Sequence, residues 1–220
     1  LRHRLEKHKL AQEMFKTANA LLEQRGLILR SGTLVDATLI AAPSSTKNKD
    51  KARDPEMHQT QKGKQWYHGM KAHTGTDAHF GLVHTLRCTA ANVHDVVEAN
   101  SLLHGDETDV FADAGYQGAD DRPDAVQGKR WHVAMKRSKR KALDQSKPRG
   151  QLLEQLEQVK SRIRAKVEHP YRVLKCQFGY VKVRYRGLMK NAQQLHTLFA
   201  LGNLWTVRRL LLQEPLGRFA

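Results

Sequence analysis

The sequence predicts an α/β fold in which a mixed five-stranded sheet is flanked by helices and preceded by a helical N-terminal extension. Three observations predict it: strand-like segments at 27–42, 66–73 and 80–88, short apolar runs at 110–113 and 131–135, and a helical pattern at 151–175. A chain of 220 residues with 40% hydrophobic content is long enough for one full-sized core. We therefore expect one main domain with an appendage.

The first half of the chain predicts helix, then strands, then helix. Apolar residues among charges at 1–26 indicate one or two amphipathic helices that end at Gly26. The first strand, 27–42, is followed by a polar segment, 43–64, which is typical of a long surface loop. Two strands joined by a turn at 75–79 follow, and Asn92 is the expected N-cap of a helix at 93–103.

The second half predicts a strand at 110–113, a helix at 117–126, a strand at 131–135 and a basic loop at 136–150. A long helix at 151–175 places one apolar stripe on a single face, and an apolar helix covers 195–212. The stripe consists of Leu152, Leu156, Val159, Ile163 and Val167.

The predicted domain limits are a helical extension at 1–30, the main domain at 31–212 and a tail at 213–220. Because the chain begins at Leu1 inside a helical pattern, we expect the extension to be the end of a truncated upstream DNA-binding region.

The charge of the chain indicates a polyanionic partner. Lys and Arg number 38 against 22 Asp and Glu, which gives a net charge of +16. Double-stranded DNA is the expected partner, and a membrane is not expected because no apolar run approaches 18 residues. The two cysteines, Cys88 and Cys176, lack paired spacing, which favours a reducing compartment.

Three acidic residues stand out in this basic chain. Asp36 lies in an apolar strand, Asp113 closes the run Val-Phe-Ala-Asp, and Glu168 lies in the long helix. Each has an ordinary alternative: a turn cap or ion pair for Asp36, a turn for Asp113 and a solvated helix face for Glu168. If all three converge, a divalent cation is the partner that carboxylates suit best.

The order of elements matches a ribonuclease-H-like fold, in which the first and fourth strands are neighbours and a helix supplies a third acid. The chain resembles the DDE transposases of bacterial insertion sequences, in the insertion sequence family five group. The resemblance covers about 32–205 and depends on four motifs: VDATLI at 35–40, HGMKAH at 68–73, DVFADAGYQG at 109–118 and RAKVEHPYRVLKCQFG at 164–179.

This resemblance implies that Asp36, Asp113 and Glu168 are catalytic and hold two Mg²⁺ ions, for which Mn²⁺ can substitute. Asp36 would bridge both ions, Asp113 would hold one and Glu168 the other. Arg164 and Lys175 keep the places of the family signature and would contact DNA, whereas Ser161 stands where relatives carry Tyr. Positions i, i+4 and i+11 share one helix face, although Pro170 predicts a kink before Lys175.

Further cations are candidates for DNA binding. His68 and Lys71 would approach DNA or support the acids, with a core or surface role left open for each. A dense basic run would track phosphates without reading sequence, or would be a solvated loop; it comprises Lys136, Arg137, Lys139, Arg140 and Lys141. A second basic region extends from 47 to 64.

The resemblance implies a transposase that cuts DNA at element ends and joins the freed 3′-hydroxyl to target DNA. It also implies a homodimer on the terminal inverted repeats, located at the nucleoid in the bacterial cytoplasm. Two alternatives stay open: a catalytically silent DNA-binding remnant, and a ribonuclease-H-like nuclease outside transposition. Twelve histidines also raise the possibility of zinc, but no pair has finger spacing with a further Cys or His.

Overall fold

A six-stranded mixed sheet forms the centre of the structure, a computed structural model that describes residues 2–213. The prediction of five strands was therefore wrong by one. The additional strand, which pairs with the strand after it, lies in the segment expected to be a loop. The strands are β1 (Gly32–Ala41), β2 (His58–Lys62), β3 (Gln65–Asp77), β4 (Val83–Ala90), β5 (Asp109–Ala112) and β6 (Arg130–Val133).

The strand order brings distant parts of the chain together. The central path runs β2-β3-β1-β5-β6, and β4 also pairs with β3. β1 is antiparallel to β3 and parallel to β5, and β5 is parallel to β6. This mixed sheet, with helices packed on it, is consistent with the ribonuclease-H-like prediction, because the first strand lies beside the strand that ends at the second acid.

Seven helices surround the sheet within the described residues. They are α1 (Arg2–Lys7), α2 (Leu10–Gln24), α3 (Asp95–Glu98), α4 (Arg137–Lys141), α5 (Pro148–Arg164), α6 (Glu168–Arg172) and α7 (Leu188–Gln213). Short 3₁₀ turns cover Asn100–Leu102, Ala114–Tyr116 and Ala165–Val167, and a π-helical turn covers Val173–Gln177. The predicted N-terminal helices and the apolar helix near the C-terminus are present.

Two helix predictions were wrong. No helix forms at 117–126, where Gly118 takes a φ of +82° and the chain runs through turns; glycine adopts this conformation readily, and Pro123 also disfavours helix there. The helix at 93–103 is shortened to α3 and a 3₁₀ turn, and its N-cap is His94 rather than Asn92. The basic loop at 136–150 contains α4 and the start of α5.

The long helix predicted at 151–175 is interrupted, and its apolar stripe is divided. Val167 is buried, but Leu152, Leu156 and Val159 are 58%, 49% and 50% exposed. Glu157 faces the protein instead, because its carboxylate accepts a hydrogen bond from the backbone N–H of Met135 at 2.8 Å. This hydrogen bond places Glu157, rather than the predicted apolar stripe, toward the protein.

The N-terminal helices share a hydrophobic core with the sheet. α2 packs along α7, and Phe15 joins the largest buried cluster with Met70 and Phe199. The division at residue 30 remains a prediction, and most of the predicted tail, 214–220, lies outside the described residues. No helix within the described part of the chain is long and apolar enough to cross a membrane.

Candidate active site

The free edge of β1 forms the floor of the candidate site. β5 pairs only with the first residues of β1, and the last pair joins Val35 to Ala112. Asp36 and Asp113 are the next residues on the two strands. Adjacent strands lie about 5 Å apart, so the parallel register itself places these two aspartates beside each other.

Asp113 follows β5 in an extended conformation and begins a tight turn. Its Oδ1 accepts a hydrogen bond from the backbone N–H of Gly115 at 2.8 Å. The turn prediction and the carboxylate prediction for Asp113 are therefore compatible, because one oxygen stabilises the turn and the other is not used in it.

Glu168 reaches the site from the helical side. It is the first residue of α6, between the buried side chains of Val167 and Tyr171. The Tyr171 hydroxyl lies 2.7 Å from the Thr74 hydroxyl of β3, which ties α6 to the sheet. Glu168 is itself exposed toward the cavity beside β1. The short elements thus fix the backbone of Glu168 while leaving its carboxylate free.

The three acids line one cavity of about 720 Å³, here called the active-site cavity. Residues from β1, β2, β3, α3, α5 and α6 line it. Its acidic residues are Asp36, Asp95, Asp113 and Glu168, and its Lys and Arg residues are Lys62, Lys71, Arg164, Arg172 and Lys175. The cavity lining therefore contains both carboxylates and cations.

Asp36 has an unusual proton affinity. Burial is the main reason that its pKa rises from 3.8 to about 7. The Ala37 N–H, which donates to Oδ1 at 2.8 Å, opposes the rise, as does the charge of Arg164, whereas Asp113 and Glu168 add to it. A carboxylate that its neighbours destabilise has a strong electrostatic preference for a bound cation.

The donor chemistry of the cavity fits magnesium, because Mg²⁺ prefers hard carboxylate oxygens and water. Asp36, Asp113 and Glu168 supply three such groups, and their mutual repulsion at Asp36 is what a divalent ion would relieve. Among residues 2–213, no group of three or more His, Cys, Asp or Glu is already arranged as ligands of one ion. The residues fit the ion by type and charge.

Arg164 and Lys175, the two cations of the family signature, both lie at the cavity. Arg164 ends α5, and both Arg164 and Lys175 line the cavity with Glu168. The backbone between Arg164 and Lys175 passes through a 3₁₀ turn, a single helical stretch and a π-helical turn. The irregularity predicted from Pro170 is present on both sides of that residue, yet Lys175 still reaches the cavity. Burial and the nearby Lys62 lower the pKa of Lys175.

The other residues predicted to contact DNA differ in where they lie. Lys71 lines the cavity, but His68 does not. The half-buried ring of His68 lies near Arg53 and Asp54, and burial lowers the pKa of His68. The cations of the run 136–141 are also outside the cavity lining. Within that run, Arg140 forms a bidentate ion pair with Glu154 of α5 at 2.6 and 3.0 Å.

Sequence reasoning missed three residues of the cavity. Asp95 is absent from the predicted site residues, but it lines the cavity and pairs with Lys71. Arg172 lies four residues after Glu168, so helical spacing alone could have found it. Lys62 was assigned to the second basic region, and only the pairing of β2 with β3 brings it to the cavity.

One family model matches most of the chain. The family described as the transposase DDE domain matches residues 28–204, which include all three acids. No solved structure matches the chain.

Proposed function

The chain belongs to the transposase DDE domain family, and we propose that it cleaves DNA at the ends of an insertion sequence of the family five group and transfers the 3′-hydroxyl to target DNA. The carrying observation is that Asp36 and Asp113 lie on neighbouring strands and face Glu168 across one cavity bordered by cations. Family membership supports a nuclease of the transposase type; the position of the cut and the strand transfer are our proposal.

Each residue has a physical role in this proposal. Asp36, Asp113 and Glu168 would hold two Mg²⁺ ions, or Mn²⁺ in their place. Such ions activate the attacking oxygen and neutralise the leaving oxygen. Arg164 and Lys175, on either side of Glu168, would bind the phosphates that flank the cut. Arg suits bidentate phosphate contacts, whereas Lys acts as a point charge.

In this proposal the cavity would also orient the phosphate. Asp36 lies on a central strand of the sheet, and the Tyr171 hydroxyl ties α6 to that sheet. A phosphodiester between the floor and α6 would meet both the carboxylates and the cations of the lining. We further propose that the chain acts on DNA as a homodimer at the bacterial nucleoid, because two element ends must be joined to one target.

Substitution of the three acids tests this function. We expect Asp36→Asn, Asp113→Asn and Glu168→Gln each to abolish Mg²⁺-dependent strand cleavage, at least about 10³-fold, because an amide retains shape but loses the charge that binds the ion. DNA affinity should change little. Cleavage of duplexes with element ends by the full chain is the measurement, and Asp120→Asn and Glu13→Gln, both exposed and outside the cavity, are matched controls.

The outcomes distinguish the alternatives. Cleavage by all three variants at the wild-type rate would show that the enzyme assignment is wrong. A wild-type chain that binds DNA but never cuts would support the silent remnant. Cleavage without end preference and without strand transfer would support a nuclease outside transposition.

A further inference from the structure

The Lys71 ammonium occupies a defined position on the wall of the active-site cavity. Its Nζ donates hydrogen bonds to Asp95 Oδ1 at 2.9 Å and to the Val93 carbonyl at 2.8 Å. The Lys71 side chain is 16% exposed and that of Asp95 is 32% exposed. Two acceptors therefore hold a long, otherwise mobile side chain in one orientation.

Asp95 also lies near a buried histidine that forms no hydrogen bond with it. His73, fully buried on the same strand as Lys71, lies with Nδ1 3.8 Å from Asp95 Oδ1, while its Nε2 is 2.8 Å from the Thr89 hydroxyl. α3 also packs against the 3₁₀ turn that follows Asp113. A role for Asp95 as a dipole acid is weak, because α3 has only four residues.

One donor of Lys71 remains for a ligand. An ammonium has three N–H groups, and within the described residues two of them are bonded, both to acceptors in the segment 93–95. The residue also lines the cavity that holds the three catalytic acids. The remaining donor is therefore available to an acceptor that enters this cavity.

The sheet register separates Lys71 from the metal-binding acids. Lys71 pairs with Leu39, three residues beyond Asp36 on β1. Three residues of strand extend about 10 Å, and because this number is odd the side chains of Lys71 and Asp36 leave opposite faces of the sheet. This separation favours contacts with two different phosphates. A DNA strand that follows the free edge of β1 would thus present a second phosphate to Lys71.

We propose that Lys71 binds a backbone phosphate next to the scissile one, and that Asp95 is a positioning residue that holds the Lys71 ammonium toward it. The inference rests on the proposed function to the extent that DNA must enter the cavity. It assigns Asp95 no contact with DNA or with a metal ion.

The sign of the change in DNA affinity when Asp95 is replaced distinguishes a positioning role from simple electrostatic repulsion. Removing a carboxylate near a polyanion should strengthen DNA binding, because one repulsion is lost. If Asp95 acts by positioning Lys71, Asp95→Ala should instead weaken binding in the wild-type background. In a Lys71→Ala background, the same substitution should leave the affinity unchanged or slightly raise it.

A double-mutant cycle on DNA affinity is the experiment, measured on the full chain with duplex DNA and a chelator at several salt concentrations. We expect Lys71→Ala to weaken binding about tenfold and to reduce the log-log salt slope by about one. Asp95→Ala should weaken binding severalfold with no further loss in the double variant. Lys71→Arg should retain the slope, and Lys190→Ala, exposed on α7 and outside the active-site cavity, is the matched control for loss of a lysine.

Uncharged methylphosphonate linkages locate the phosphate. Replacing one particular phosphate near the cut should weaken wild-type binding about tenfold and leave Lys71→Ala unaffected. Asp95→Val, which has neither the charge nor an acceptor, provides the same cycle if Asp95→Ala does not fold.

Three results would overturn the proposal: equal losses from Asp95→Ala in both backgrounds, stronger binding by Asp95→Ala in the wild type, or no linkage whose effect disappears in Lys71→Ala. Because binding is measured without divalent ions, these results are independent of whether the chain cuts DNA.

Discussion

The active-site cavity and the segment 136–141 each carry five Lys or Arg residues, but they hold the charge differently. In the cavity the cations share the lining with four acids, and burial raises the pKa of Asp36 to about 7. In the segment, Lys136, Arg137, Lys139 and Lys141 are exposed. Charges that face opposite charges at close range can orient a substrate, whereas exposed cations only attract it.

The two basic regions of the sequence take different places in the structure. The region 47–64 contributes β2 and thereby Lys62 to the cavity lining. The region 136–141 contains α4, which Arg140 ties to α5 through Glu154. Composition alone could not separate these regions, because the difference lies in which element pairs with the sheet.

The largest expected effect is a pH-dependent change in the free energy of unfolding, caused by the buried Asp36 carboxyl in the cavity. Since the folded-state pKa of Asp36 is raised, both folded and unfolded states are protonated below about pH 4 and no penalty exists. As pH rises toward 7, the unfolded chain loses its proton first and the fold loses stability. Without divalent ions, Asp36→Asn should therefore be more stable than wild type at pH 8 by about 1 to 3 kcal/mol.

Denaturant unfolding in chelator at pH 4 and pH 8 measures this difference, and at pH 4 the two proteins should be nearly equal. A variant with Lys136, Arg137, Lys139 and Lys141 changed to Ala serves as the contrast, because exposed charges should give no such pH-dependent gain. Equal stability of wild type and Asp36→Asn at pH 8 would show that Asp36 carries no burial penalty.

The next effect concerns the cations of the cavity. We expect Lys62→Ala and Lys175→Ala each to lower the single-turnover cleavage rate at saturating DNA about tenfold, because a charge that orients the phosphate contributes about 1.4 kcal/mol to the transition state. Lys64→Ala, two residues from Lys62 and outside the cavity lining, should change the rate less than about twofold. A similar loss in all three variants would remove the distinction between cavity and surface cations.

The smallest expected effect on the cleavage rate comes from substitutions in and beside α4. Changing Lys136, Arg137, Lys139 and Lys141 to Ala should weaken DNA binding without sequence preference and reduce the log-log salt slope by up to about four, nearly one for each lost phosphate contact. The cleavage rate at saturating DNA should stay within about threefold. Arg140→Ala alone should leave the slope unchanged, since its guanidinium is engaged by Glu154.

Titration of DNA binding against salt with mixed-sequence duplexes provides the slope. An unchanged slope in the fourfold variant would mean that α4 is only a solvated surface element and that DNA follows the side of the hairpin β2–β3 instead.

Several elements were predictable because the physics that forms them is local. The apolar-rich run at 33–40 predicted β1, the run ending at Asp113 predicted β5, and the amphipathic pattern near the N-terminus predicted α2. Arg164, Glu168 and Lys175 were identified from the family signature, and their spacing agrees with one helix face. The irregular turns between them were foreseen only at Pro170.

Other features were not predictable from local pattern. The stripe at Leu152, Leu156 and Val159 indicates a buried face, but Glu157 turns inward because the Met135 amide needs an acceptor at 2.8 Å. The helix predicted at 117–126 does not form, and β2 was assigned to a loop because its five residues are polar and largely exposed. A polar edge strand is recognisable only from the backbone that pairs with it.

The sequence by itself indicated the fold class and the cationic character of the chain, because short-range periodicity and residue type encode them, and the three acids were singled out through the family resemblance. Tertiary structure alone decided that Asp95 and Lys62 join the acids, that His68 lies outside the cavity and that Arg140 is engaged by Glu154. These outcomes depend on strand register and helix rotation. Register and rotation are set by many contacts distant in sequence, so no local pattern carries them.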